Sequence, residues 1–225
     1  IHASPKEGDA WIRLGHAYLD ADSLQQARDA FKKAVQFAKS AEAHNGLGRV
    51  YMAMGVHEAR RAFPEFRKAL GTDPSFIEAQ MNIARTHKLL KDQDAETAYR
   101  KVIEMDSTYA PVYLELAQWY LDSGYEGYKD EFVPLLEKYI ALNPEDDEGH
   151  YNLALTYTEH KEYGAVLDVA SLAIKQYGVE ARWVALIAQA YAARGEPEKA
   201  RALFEKVLGM ISEEERSFYE DLQLV

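Results

Sequence analysis

The stretch AWIRLGHAYLDADSLQQARDAFKKAV, residues 10–35, carries two apolar patterns separated by a polar gap. In each half, apolar or small residues recur at the spacing of one helical stripe. The two stripes are Trp11, Leu14, Gly15 and Tyr18, and Ala27, Phe31 and Ala34. A small residue at position 15 lets a second helix approach closely, and the small–large–small set of the second stripe is complementary to it. The stretch therefore predicts a hairpin of two packed helices.

The pattern recurs along the chain, so the hairpin is a repeated unit and not a single feature of an ordinary helical domain. The residues that take the place of Leu14 in successive copies are Leu14, Leu47, Ile83, Leu116, Leu153 and Ile187. Their separations are 33, 36, 33, 37 and 34 residues. One hairpin buries only part of its apolar surface, and the next hairpin covers the rest. Six copies at this period predict a stack of helical hairpins.

This pattern resembles the tetratricopeptide repeat (TPR), whose motif W-x₂-L-G-x₂-Y, then A-x₃-F and a late proline, has a period of about 34 residues. The Trp position holds Trp only once, and the late proline occurs in two of the six copies. The resemblance implies an all-α, TPR-type α-solenoid, a right-handed superhelix of antiparallel helix pairs, as a single domain over residues 1–225. The expected repeats are residues 8–40, 41–76, 77–109, 110–146, 147–180 and 181–211, followed by a capping helix at 212–225.

Two prolines lie within the expected second helices of the second and fourth repeats, Pro64 and Pro134. An interior proline removes a backbone donor and clashes with the preceding turn. We therefore predict that both helices either are kinked at the proline or begin late, with the proline in the first turn.

The charge of the chain excludes some classes of partner. A net charge of −11 repels nucleic acid and anionic lipid on average, so we predict no nucleic-acid partner. Residues 41–104 nevertheless hold ten basic and nine acidic side chains, and form a nearly neutral region. The apolar runs are too short for a membrane-spanning helix, so we predict no membrane insertion.

The ends of the chain leave its compartment open. The sequence begins at Ile1 and carries no leader pattern, and we interpret it as a fragment or a processed product. It is expected to be soluble, either in the cytoplasm or, after removal of a leader, in the periplasm or outside the cell.

No catalytic motif is evident in the sequence. Cysteine is absent, which excludes disulfides, thiolate metal sites and cysteine nucleophiles, and the seven histidines form no H-E-x-x-H motif. The GLGRVY stretch at 46–51 lacks the third glycine and the preceding strand of a dinucleotide site. His44, His87 and His150 take core positions, so we predict packed or half-buried histidines. The chain is predicted to be non-catalytic, without cofactor or metal.

A second stripe runs beside the core stripe of each first helix, turned by about 100° around it. In the resembled family this stripe lines a concave groove that binds peptides or partner segments. The predicted groove residues are Asn45, Arg49, Met52, Met81, Asn82, Arg85, Lys88, Leu114, Gln118 and Tyr151.

Two of these residues, Arg49 and Arg85, occupy equivalent positions of successive repeats and should lie on the order of 10 Å apart. Arginine forks match carboxylates, and methionine suits adaptable apolar contacts. We therefore predict a protein or peptide partner, extended or helical, that presents an acidic or carboxylate-bearing element. The alternative is that the two arginines pair with acids of the chain itself, such as Glu42 and Glu78.

A non-catalytic protein-interaction scaffold is the function that these features favour. The main alternative is a docking or regulatory segment of a larger protein, such as a secreted bacterial one, whose activity lies elsewhere. An RNA-reading helical repeat would need a basic groove, which the net charge of −11 opposes. Self-association through the end repeats has no supporting feature in the sequence, and light scattering would test it.

Overall fold

The computed structural model describes residues 5–123 and 128–212. Thirteen α-helices and no strand are present within these ranges. The chain divides into two compact units, Ile1–Val112 and Tyr113–Val225. The predicted all-α class is therefore confirmed.

The first unit is a stack of three helical hairpins. Its described helices are α1 (Pro5–Asp20), α2 (Leu24–Phe37), α3 (Ala41–Ala53), α4 (Val56–Ala59), α5 (Ala62–Thr72), α6 (Ile77–Leu89) and α7 (Ala95–Met105). The hairpins are formed by α1 with α2, α3 with α5, and α6 with α7. Each hairpin packs on the next through α2 against α3 and α5 against α6.

The second unit repeats this arrangement. Its helices are α8 (Pro111–Ser123), which begins two residues before the unit boundary, α9 (Tyr128–Leu142), α10 (Asp147–Glu159), α11 (Tyr163–Tyr177), α12 (Ala181–Ala193) and α13 (Pro197–Leu208). Helices α10 and α11 pair, as do α12 and α13, and α11 packs on α12. The predicted capping helix at 212–225 lies outside the described residues, except for Ser212.

Phe31 joins the first two hairpins. Its side chain is fully buried, and a Cβ atom added to Gly15 would lie only 2.8 Å from its ring. A Cβ added to Gly46, on the next hairpin, would lie 2.1 Å from the same ring. Two glycines thus let helices α1 and α3 close around one aromatic side chain, as the spacing of Gly15 and Phe31 predicts within the first repeat.

The two interior prolines lie at different places in their helices. Pro64 is the third residue of α5, where the backbone N–H has no intrahelical partner, and the short α4 precedes it. The late start predicted for the second repeat is confirmed. In the fourth repeat α9 runs from Tyr128 to Leu142 with Pro134 inside it. The late start is therefore wrong there, and a kink at Pro134 stays a prediction.

The three core histidines lie in the interior, as predicted. His44 is buried, and its Nδ1 lies 2.7 Å from Oε2 of Glu65. His150 is buried beside Tyr177, whose hydroxyl is 3.1 Å from its Nδ1. His87 is half-buried, with its ring centroid 4.5 Å from that of Phe63.

Glu65 makes the stability of the first unit depend on pH. Burial alone would raise the pKa of Glu65, but hydrogen bonds from Lys68 at 2.8 Å and from His44 at 2.7 Å outweigh it, so the pKa is lowered. A lowered folded-state pKa adds stability that is present above the unfolded pKa and is lost as pH falls through the folded pKa. We expect Glu65→Gln to lower the free energy of unfolding at pH 7 by about 1.5–3 kcal/mol.

The measurement is urea unfolding of wild type and Glu65→Gln at a series of pH values. The difference between them should shrink as pH falls through the acidic range in which Glu65 becomes protonated. Glu104→Gln is the matched control, because Glu104 is exposed on α7 and has no ion pair within the described residues. An unchanged difference between pH 7 and strongly acidic pH would contradict the prediction.

Candidate partner-binding site

A cleft of about 460 Å³ lies within the first unit, between the ends of three helices that begin successive hairpins. Its volume falls in the range of roughly 300–1,000 Å³ that is common for binding pockets. The residues that line it are Leu19, Asp22, Leu24, Arg49, Met52, Ala53, Asn82, Arg85 and Leu89. Four predicted groove residues, Arg49, Met52, Asn82 and Arg85, are among them.

Helical periodicity explains which side chains meet in the cleft. On α3, Met52 and Ala53 follow Arg49 by three and four residues, so the three share one face. On α6, Leu89 follows Arg85 by four residues in the same way. Because α3 and α6 occupy equivalent places in successive hairpins, their faces line the same cleft.

Two buried asparagines join α3 to α6 beneath the cleft. Asn82 donates from Nδ2 to Oδ1 of Asn45 at 2.9 Å. Arg85 donates from Nη1 to Oδ1 of Asn82 at 3.2 Å. Amide and guanidinium groups from two repeats are thus held in one hydrogen-bonded chain, which fixes the position of Arg85 at the cleft.

Arg49 is the cleft cation that has no internal partner among the described residues. Within residues 5–123 and 128–212 its guanidinium makes no hydrogen bond or ion pair. Glu42, named above as its alternative partner, lies instead 3.4 Å from Nε2 of His16. An Arg49–Glu42 pair is therefore absent from the described part of the chain, and Arg49 faces the cleft.

One prediction in α6 needs correction. Met81 is 0% exposed and packs in the core, so its side chain does not line a groove. Lys88 is partly exposed and is not among the residues that line the cleft, where Leu89 stands one position later, so its place in a groove stays a prediction. Asn45 is buried and reaches the cleft only through its bond to Asn82.

The remaining predicted residues belong to the second unit. Leu114 on α8 is partly exposed, and Gln118 is exposed and donates to Asp122 at 3.1 Å. Tyr151 on α10 is partly exposed and packs edge-on against Trp183, with ring centroids 5.4 Å apart. Their membership of a groove stays a prediction.

Sequence reasoning missed Asp22, Leu24, Ala53 and Leu89 as lining residues. The last two could have been found, since they follow Arg49 and Arg85 by one helical turn. Asp22 and Leu24 lie in and after the turn between α1 and α2, which no stripe on a first helix can indicate. Asp22 has a left-handed φ of 52°, and its N–H donates to the carbonyl of Leu19 at 3.1 Å.

A second cleft of the first unit, of about 510 Å³, is lined by Pro74, Ser75, Ile77, Met105 and Asp106. None of these lining residues is cationic, and none is a predicted groove residue.

A group of possible metal ligands also lies in the first unit. One ligand atom each from His87, Asp92 and Asp94 lies within 4.8 Å of the others. Internal contacts account for this group, because Asp92 lies 3.2 Å from Nδ1 of His87 and accepts the N–H of Asp94. We therefore draw no metal site from it.

Comparisons with known proteins agree with the hairpin stack. The tetratricopeptide repeat family matches residues 8–40 and 184–213. The fold is similar to that of PilF from Pseudomonas aeruginosa, with a TM-score of 0.67, 22% identity, and coverage of 96% of this chain and 98% of that one. The chain carries tetratricopeptide repeats in the two matched segments, residues 8–40 and 184–213. Its fold is also similar to that of YrrB, described as a TPR protein with an unusual peptide-binding site, with a TM-score of 0.63, 19% identity, and coverage of 82% and 93% of the two chains.

Similarity in sequence extends to longer proteins. The type IV pilus assembly protein PilF of Pseudomonas aeruginosa is 32% identical over 97 residues, 43% of this chain and 37% of the relative. The BBSome complex member BBS4 of Bos taurus is 24% identical over 200 residues, 88% of this chain and 38% of the relative. The chain spans 38% or less of the length of the curated relatives that it matches.

The repeats bear on function in a general way. Proteins built from TPR repeats are typically non-catalytic scaffolds, and this supports a role in protein interaction. Within the described residues, no helix combines the length and the apolar character that crossing a bilayer requires.

Proposed function

We propose that this TPR protein is an interaction scaffold whose first unit binds a segment of a partner protein in the cleft between α1, α3 and α6. The segment presents an acidic side chain or a carboxylate to Arg49 and Arg85. One observation carries the proposal. The cleft gathers both predicted arginines, and Arg49 makes no ion pair within the described residues.

The chemistry of the lining supports an acidic ligand. Arginine forks bind carboxylates through two parallel hydrogen bonds. Asn82 holds Arg85 in position through its side-chain oxygen at 3.2 Å, and a guanidinium positioned beforehand loses less entropy when a ligand binds. Met52 supplies adaptable apolar contact beside the two charges.

The relatives support a peptide or protein ligand in general terms. YrrB is described as having an unusual peptide-binding site, and the PilF of Pseudomonas aeruginosa is a pilus assembly protein. We take from them only the class of ligand, a protein segment. The acidic element rests on Arg49 and Arg85 alone.

Reversing both arginines tests the proposal. We expect Arg49→Glu with Arg85→Glu to weaken partner binding by about a hundredfold, since two charge-assisted contacts are replaced by repulsion. The measurement is the recovery of partners by the immobilised chain from cell extract, followed by titration of the recovered segment. Arg49→Glu should leave the melting temperature close to that of wild type, because Arg49 makes no internal bond within the described residues. Arg85→Glu breaks the hydrogen bond to Asn82, so a modest fall in the melting temperature is expected from that substitution.

Arg67→Glu with Lys101→Glu is the matched control. Both residues are exposed on the second helices of the second and third hairpins, and the pair makes the same change in net charge. This control variant should keep the affinity of wild type. Equal loss in both variants would show that only overall charge matters, and unchanged affinity in the double arginine variant would remove the site.

A second candidate function is a docking or regulatory segment of a larger protein. The chain spans 38% or less of the length of its curated relatives, and this supports such a function. The two functions share the same site and differ in whether the bound segment lies in another protein or in the same one. The complete gene, and a binding assay with any further domains that it encodes, would distinguish them.

A further inference from the structure

The cations and the apolar residues of the cleft lie on different turns of the same helices. Met52 follows Arg49 on α3, and Leu89 follows Arg85 on α6, by three and four residues. Residues at this spacing stand about 5–6 Å apart on one helix face. We call Arg49 and Arg85 the cationic row. The apolar row, one turn further along the helices, consists of Leu19, Met52, Ala53 and Leu89.

The apolar row is open to a ligand. Leu89 is 38% exposed, Ala53 is exposed, and Leu19 and Met52 are partly exposed. Leu19 takes on α1 the place that Met52 takes on α3, since each follows the leucine of its repeat motif, Leu14 or Leu47, by five residues. The motif leucine is buried in α3 but not in α1, where Leu14 is 37% exposed. The row thus crosses the first helices of three successive hairpins, beside the cationic row.

The arrangement of the two rows suits an extended chain. The rows run side by side, about 5–6 Å apart along each helix. In an extended chain, successive side chains point to opposite sides, so one segment can serve both rows along its length.

Resting on the proposed function, we infer that the bound segment is extended and alternates acidic with bulky apolar side chains. Its acids face the cationic row and its apolar side chains face the apolar row. Asp22, held in a left-handed turn, is the one anion among the described residues that line the cleft, and it keeps acids away from the α1 side. These lining residues therefore carry two cations to one anion in a chain whose net charge is −11.

Synthetic peptides of about eight residues test the alternation directly. The first probe alternates glutamate and leucine, and the second has the same residues in two blocks, with both ends capped. Fluorescence anisotropy of labelled peptides gives the affinities. Because the two probes have equal charge and composition, only the order of residues differs. We expect the alternating probe to bind at least about tenfold more tightly.

Variants test which residues of the probe each row binds. Arg49→Gln with Arg85→Gln should lower the affinity for the alternating probe about tenfold and leave the affinity for an alternating glutamine–leucine probe unchanged. Leu89→Ser should lower the affinity for both alternating probes. The matched control is Leu172→Ser on α11, because Leu172 is 51% exposed and lies in the second unit. Circular dichroism of each variant confirms that it is folded.

Equal affinity for the alternating and blocked probes would overturn the inference, and so would binding of neither. In both cases the proposed function is judged separately, by whether the natural partner is lost with the double arginine reversal. A partner that depends on both arginines but is unaffected by Leu89→Ser would leave the proposed function standing and refute the apolar row.

Discussion

Replacing Phe31 with alanine should lower the free energy of unfolding of the first unit by about 3–5 kcal/mol. The ring is fully buried, and Gly15 and Gly46 approach it from two different hairpins. Truncation removes the apolar contacts of the ring and leaves a cavity between α1, α2 and α3. Urea unfolding followed by helical circular dichroism measures the loss.

An exposed apolar residue of the same unit provides the control. Val56, at the start of α4, is 53% exposed, so Val56→Ala should change the free energy of unfolding by no more than about 0.5 kcal/mol. Phe31→Leu keeps part of the volume and should recover part of the loss. If Phe31→Ala were no worse than Val56→Ala, the ring would not hold the two hairpins together.

The same ring shows why the repeat fold could be predicted from the sequence. In a repeat protein each hairpin packs on its neighbours, so a motif that describes one junction describes all of them. The spacing from Gly15 to Phe31 encodes the contact within the first hairpin. The contact from Phe31 to Gly46 was not predicted, because it depends on how the second hairpin is rotated against the first.

Proline marks a limit of sequence reasoning about helix boundaries. Pro64 and Pro134 each precede a core position by two residues, yet only Pro64 lies in a first turn. An interior proline costs a helix about 3 kcal/mol, and burial of neighbouring side chains can offset that cost. Around Pro134, Phe132 and Leu136 are buried almost completely, and α9 continues through the proline.

The cleft was predicted in part for a related reason. Arg49 and Arg85 were found because equivalent positions of successive repeats share an environment, and this needs only the period. Whether a residue beside the core stripe faces the cleft or the next hairpin depends on rotations smaller than the 100° between successive helix residues. For this reason Met81 was wrongly predicted to line the groove, and Leu89 was not predicted as a lining residue.

Internal pairing was the part of the site that the sequence could not decide. Glu42 lies in the first turn of α3. Its carboxylate lies 3.4 Å from Nε2 of His16 on α1. Several cations stand within reach of such a carboxylate in a helical stack. The packing of α1 on α3 decides that the Glu42 carboxylate contacts His16, and this leaves Arg49 facing the cleft.

Trp183 is the position in the second unit where truncation should have the largest effect. It is fully buried on α12, in a cluster with Val166, Ala170 and Ala173 of α11 and with Leu186. The other repeats carry smaller residues in the equivalent place, such as Ala43 and Gly149. Trp183→Ala should lower the free energy of unfolding of the second unit by about 3–5 kcal/mol.

The indole nitrogen of Trp183 makes the phenylalanine variant informative. Its Nε1 is buried and has no hydrogen-bond partner within the described residues, and an unsatisfied buried donor costs about 1–3 kcal/mol. Trp183→Phe removes that donor together with some apolar contact, so it should lose less than half of what Trp183→Ala loses. Urea unfolding followed by circular dichroism compares the two, with the exposed Leu172→Ala as control. Equal losses for the phenylalanine and alanine variants would mean that the full width of the indole, and not its unpaired N–H, decides the stability of this junction.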